Sequence, residues 1–130
     1  AGIHVLGYNF DLNNQEFNRC NSNVICDTKA LNDIYLFPFK MAIKEGNPSC
    51  VMTSYNLFNG YHVNESEYLL KDKLREEYEF KGLVMTDWGA TNDRVKSFIA
   101  TNDLEMPTSN GDNDQKIADA YLDKKINDKF

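Results

Sequence analysis

Asp87 closes a short apolar run, Leu83-Val84-Met85-Thr86, and is followed at once by Trp88 and Gly89. A run of this kind reads as a buried parallel strand that delivers a side chain to the rim of a barrel or open sheet. Residues at the carboxyl ends of such strands do chemistry, because the strands hold position while the loops beyond them vary. A carboxylate fixed there can act as a nucleophile beside a developing positive charge. The competing reading is structural: Asp87 caps a helix opened by residues 89–91. Three other segments share the grammar. Cys50-Val51-Met52-Thr53-Ser54-Tyr55-Asn56 ends in hydroxyl, phenol and amide groups, with a turn at Phe58-Asn59-Gly60. Leu12-Asn13-Asn14-Gln15-Glu16-Phe17-Asn18-Arg19 and Asp103-Leu104-Glu105-Met106-Pro107 are the other two.

The elements that must position these residues alternate in period. Residues 2–10 read as a strand through Ile3, Val5 and Leu6. Asp27-Thr28 starts a helical pattern over 29–45, which Pro38 should kink or split and Gly46-Asn47-Pro48 should stop. A strand over 50–53 follows. Ser66 then caps a helix with Leu70, Leu74 and Tyr78 on one face, ended by Gly82 before the Asp87 strand. Residues 93–100 suggest a short helix with Val95, Phe98 and Ile99 inward. A last strand spans 103–106, and 108–114 is a loop by composition. Residues 115–128 look helical, with Ile117, Ala118, Tyr121 and Leu122 as the apolar stripe. Strand alternating with amphipathic helix is α/β, and about four such units amount to half of an eightfold barrel.

A chain of 130 residues suits one domain but falls short of the roughly 200 that a complete barrel needs. A net charge of -6 argues against a nucleic-acid binder, which needs a basic stripe to displace phosphate counterions. No apolar run approaches a membrane span, and the N-terminus lacks a signal-peptide pattern. Because Ala1 enters mid-domain on this reading, that pattern says nothing of where a parent protein resides. His4 and His62 have no partners at ligand spacing, so neither a metal nor a cofactor is expected. Cys50 reads as a buried hydrophobe, and Cys20 and Cys26 could bridge a short loop in an oxidising compartment.

In this order, Asn-Asn-Gln-Glu (13–16), Ser-Tyr-Asn (54–56), Asp-Trp-Gly (87–89) and Asp-Leu-Glu-Met-Pro (103–107) resemble the N-terminal barrel domain of glycoside hydrolase family 3, the β-glucosidase-like enzymes. The resemblance runs from about Phe10 to Pro107. It implies a single partial domain over 1–130, the C-terminal half of that (β/α)8 barrel, with 110–130 as a helical C-terminal region. It implies a retaining hydrolase of β-glucosides or related oligosaccharides, and family members are often secreted or periplasmic. Asp87 matches the nucleophile, and Tyr55 the tyrosine that orients it and lines the sugar subsite. Arg19 matches an arginine that approaches sugar hydroxyls, with an ion pair to Glu16 as the alternative. Met52 resembles a pocket-lining position, or core filler. Trp88 would offer its ring face to a sugar, or else pack in the core. Asp103 and Glu105 read as scaffold.

Two departures bear on activity. Tyr8-Asn9 stand where the family typically carries Lys-His, so this substrate-binding pair lacks the positive charge and reach of lysine. The family's general acid/base, which comes from a second domain or from a histidine on a barrel loop, has no matching motif. The expectation is a fragment of a larger enzyme, weak or inactive alone and partnered by a missing half-barrel and acid/base domain. The alternatives are a non-catalytic sugar-binding remnant and a half-barrel that folds only with a partner chain.

Overall fold

The computed structural model describes residues 3–6 in backbone and residues 19–127 in full. Three strands form a parallel sheet in the order β1 (Ile3–Leu6), β3 (Cys50–Thr53), β6 (Leu83–Thr86). Met85 forms a further parallel bridge to Leu104, so the segment expected as a last strand contributes one bridge rather than a ladder. Pairing of Cys50 with Leu83 and of Thr53 with Thr86 sets β3 and β6 level, so both end at the same edge.

Period-two alternation divides the two faces of this sheet. Val51, Thr53, Val84 and Thr86 are buried beneath helices. Their neighbours Cys50, Met52 and Met85 are half-buried on the other face, where Leu83 and Leu104 are 39% and 40% exposed. The core lies on the covered face and gathers Leu31, Leu36, Leu69, Leu70 and Leu74 around the two valines.

The helices begin and break where local chemistry dictates. Asp27 accepts from the Ala30 N–H at 2.8 Å and opens α1 (Thr28–Ala30), which continues as a π-type turn, Leu31–Tyr35. Pro38 sits in the first turn of α2 (Phe37–Gly46), where its missing N–H costs nothing, so the expected split falls just before it. Asn47, left-handed at φ 43°, ends that helix. The Ser66 hydroxyl accepts from Leu69 N–H at 3.3 Å before the π-wound helix Tyr68–Glu77, whose Leu70 and Leu74 are fully buried, with Tyr78 buried at its end. Gly82 is needed for close approach: a Cβ there would fall on the Ser49 carbonyl.

Two expectations are corrected. In α3 (Arg94–Ile99) the buried residues are Arg94 and Ser97, and Val95, Phe98 and Ile99 are only half-buried. The reason is polar: the Arg94 guanidinium finds the Asn102 and Asp103 carbonyls inside, both at 3.0 Å. In α4 (Asp112–Leu122) only Ala120 is buried, whereas Tyr121 and Leu122 are 51% and 75% exposed. A second small sheet was not expected. In it β2 (Asn23–Val24) pairs with β4 (Leu57–Phe58), and β4 forms a hairpin with β5 (Tyr61–His62). Asn59 and Gly60, at φ 47° and 89°, make its turn.

Candidate active site

The level ends of β3 and β6 bring four of the expected site residues together. The Asp87 N–H donates to the Thr53 carbonyl at 3.1 Å, which continues the ladder one residue past β6. From there the Tyr55 hydroxyl crosses to the Trp88 carbonyl at 2.7 Å. The Arg19 guanidinium lies over the Tyr55 ring, 4.8 Å from its centroid. Burial, and then the Asp87 carboxylate within hydrogen-bonding reach, push the Tyr55 phenol up, while Arg19 pulls it back. Arginine, phenol and carboxylate therefore form one electrostatic group.

The alternatives for Asp87 and Trp88 are resolved by geometry. Asp87 Oδ1 accepts from its neighbour, the Trp88 N–H, at 2.6 Å. The following helix, α3, is capped instead by Asp93, which accepts from Lys96 N–H at 3.1 Å. Trp88 is 64% exposed and so is not core among the described residues. Met52 stands beside Met85 on the less covered sheet face, half-buried and below the rim. Tyr8 and Asn9 lie outside the described residues, as does Glu16, the alternative partner of Arg19.

Beneath the rim, residues that sequence reasoning passed over hold the loops. The Thr86 hydroxyl accepts from Met106 N–H at 2.8 Å, and the Gly89 N–H donates to the Met106 carbonyl at 2.7 Å. Fully buried Asn64 donates to the Ala90 carbonyl at 2.8 Å. These contacts fix both sides of the Asp87–Trp88 turn. A buried Asn two residues beyond a strand is a visible sign, but its partner is not.

Beside the turn, Trp88 walls a cleft of about 380 Å³ with Arg94, Glu105, Met106, Pro107 and Asp114 among its lining. Asp87, Tyr55, Arg19 and Met52 do not line it. Burial would raise the Glu105 carboxyl, but hydrogen bonds from Ser109 and Asn113 and the charge of Arg94 outweigh it and hold it low. Asp103 accepts from Arg75 at 2.6 Å and from Val84 N–H at 2.8 Å. Both carboxylates thus have structural partners, in keeping with their reading as scaffold. Cys20, Cys26 and Cys50 are free thiols.

Residues 16–107 match the family model described as the glycosyl hydrolase family 3 N terminal domain. The chain belongs to glycoside hydrolase family 3. Thermostable beta-glucosidase B of Acetivibrio thermocellus is 42% identical over 127 residues, 98% of this chain and 17% of that protein. An exo-alpha-(1->6)-L-arabinopyranosidase of Bifidobacterium breve is 40% identical over 130 residues, covering 95% of this chain and 17% of its own length. Beta-glucosidase 3B from Thermotoga neapolitana, solved in complex with glucose, superposes with a TM-score of 0.79 at 38% identity. That superposition covers 85% of this chain and 16% of the other. The family 3 chain thus spans about one-sixth of the length of these relatives. Within the family, the two curated relatives carry different glycosidase names, so membership leaves the sugar open.

Proposed function

We propose that this chain carries the nucleophile side of a retaining β-glucosidase-type site and works as part of a longer family 3 enzyme. Asp87 attacks the anomeric carbon, forming a glycosyl ester as the bond to the leaving oxygen breaks. That oxygen takes a proton from a general acid outside this chain. Water then attacks the same carbon, frees the sugar with its original anomeric configuration and returns the Asp87 carboxylate. Tyr55 orients the carboxylate, and Arg19, Met52, Tyr8 and Asn9 contact sugar hydroxyls or line the subsite. Trp88 supplies a ring face.

The observation that supports this reading best is the cluster at the level strand ends, with Tyr55 under Arg19, bonded to the Trp88 carbonyl and beside Asp87. A nucleophile so held is preorganised. Without its acid the chain would lose roughly 10²–10⁴ in rate from that step alone, so it would be weak or inactive in isolation. The test uses an aryl β-glucoside whose leaving group needs no protonation. Slow aglycone release by the wild type and none by Asp87→Asn is the expected result. Equal release by both would defeat the assignment.

The exposed Leu83 and Leu104 favour a structural corollary, in which the chain is the C-terminal half of a barrel and the less covered sheet face packs against the other half. A mass and melting temperature that rise with concentration would indicate that a second copy can take that place.

A further inference from the structure

The cleft beside Trp88 carries a charge pattern that the nucleophile does not use. Trp88, Met106 and Pro107 give it an apolar wall. One guanidinium, Arg94, faces three carboxylates, Asp103, Glu105 and Asp114. Arg94 is 7% exposed and points both terminal nitrogens at the Asn102 and Asp103 carbonyls, so its donors are turned from the cleft. Asp103 is tied to Arg75 and Glu105 to Asn113. Asp114 is exposed in the first turn of α4, and its carboxylate accepts no hydrogen bond among the described residues. It also offsets the positive end of that helix, which would otherwise attract anions.

We propose that this cleft seats the leaving-group part of the glycoside and selects neutral or cationic leaving groups over anionic ones, with Asp114 as the specificity-determining residue. The inference rests on the glycosidase reading of the Asp87–Trp88 turn. A neutral ring stacks on the exposed face of Trp88 and meets no charge penalty. An anionic ring in the same place lies near carboxylates that outnumber the one cation, in a recess where screening is weaker than in bulk.

Trp88 is the one tryptophan of the chain, so its emission reports on this cleft. The chain is titrated at low salt with glucose, phenyl 1-thio-β-D-glucoside and the 4-carboxyphenyl analogue, with calorimetry to register binding that leaves emission unchanged. The carboxylated glucoside is expected to bind about three- to tenfold more weakly than the neutral one. The gap should shrink in 0.5 M salt (a Debye length of roughly 4 Å) and nearly close in Asp114→Asn, with glucose affinity unmoved. Asp114 is exposed, so that variant should fold, which far-ultraviolet circular dichroism checks. Equal affinities in the wild type, or an undiminished gap in Asp114→Asn, overturn the proposal while glucose binding leaves the site reading standing. No binding of any of the three sugars would remove both.

Discussion

The Tyr55 hydroxyl donates to the Trp88 carbonyl at 2.7 Å, lacing the loop after β3 to the loop after β6. One hydrogen bond thus joins two segments that are 33 residues apart in sequence. Tyr55→Phe removes the donor and keeps the ring under Arg19. We expect it to lower stability by about 0.5–1.5 kcal/mol and to loosen the Trp88 turn. Urea unfolding measures the first and Trp88 emission anisotropy the second. Unchanged anisotropy would show that the turn is held without Tyr55.

Arg75 fastens the base of the same sheet. Its guanidinium donates to the Gly82 carbonyl and to Asp103, both at 2.6 Å, and more weakly to the Phe80 and Thr101 carbonyls. Arg75→Leu strands the Asp103 carboxylate and several carbonyls in a part-buried place. A loss of about 2–4 kcal/mol follows. Asp103→Asn should cost less, because its side-chain oxygen can still accept from Val84. A double-mutant cycle in urea reads the coupling, and additive effects would contradict the pairing.

Tyr78 couples stability to alkaline pH. Burial, then the nearby Glu77 carboxylate, push its phenol up to about 12. A raised acid constant means the folded state resists deprotonation. The contribution is complete below the unfolded phenol value near 10 and fades as pH climbs through the folded value. Melting temperatures between pH 9 and 12 should therefore fall more steeply in the wild type than in Tyr78→Phe. Parallel curves would mean that Tyr78 does not set the slope.

Much of this was legible in the residues. Four β-forming residues between Pro48 and the Ser54-Tyr55 turn could only be a short strand, and Val84 with Thr86 repeated the pattern. Pro38 announced the helix break. What escaped was set by partners distant in sequence. Apolar periodicity pointed Val95, Phe98 and Ile99 inward in α3, but Arg94 went in because two carbonyls eight and nine residues ahead received it. The stripe on α4 was real as a pattern, yet Tyr121 and Leu122 stay exposed and Ile126, beyond the helix, is buried instead. Strands of two residues, as in β2, β4 and β5, are too short to show any period. At the site, residue types and order named Asp87, Tyr55, Trp88 and Arg19. Nothing in their order revealed that the Tyr55 hydroxyl would reach a backbone carbonyl, or that the cleft would open on the far side of Trp88 from Asp87's own partners.

The central claim is that Asp87 is the atom-bonding nucleophile, and covalent trapping tests it most directly. A 2-deoxy-2-fluoro-β-glucoside with a dinitrophenyl leaving group needs no acid and yields an ester slow to hydrolyse. After prolonged incubation, digestion and mass spectrometry should find one fluoroglucosyl adduct, on the peptide containing Asp87, and none in Asp87→Asn. An adduct on another carboxylate, or none on the wild-type chain, would contradict the account.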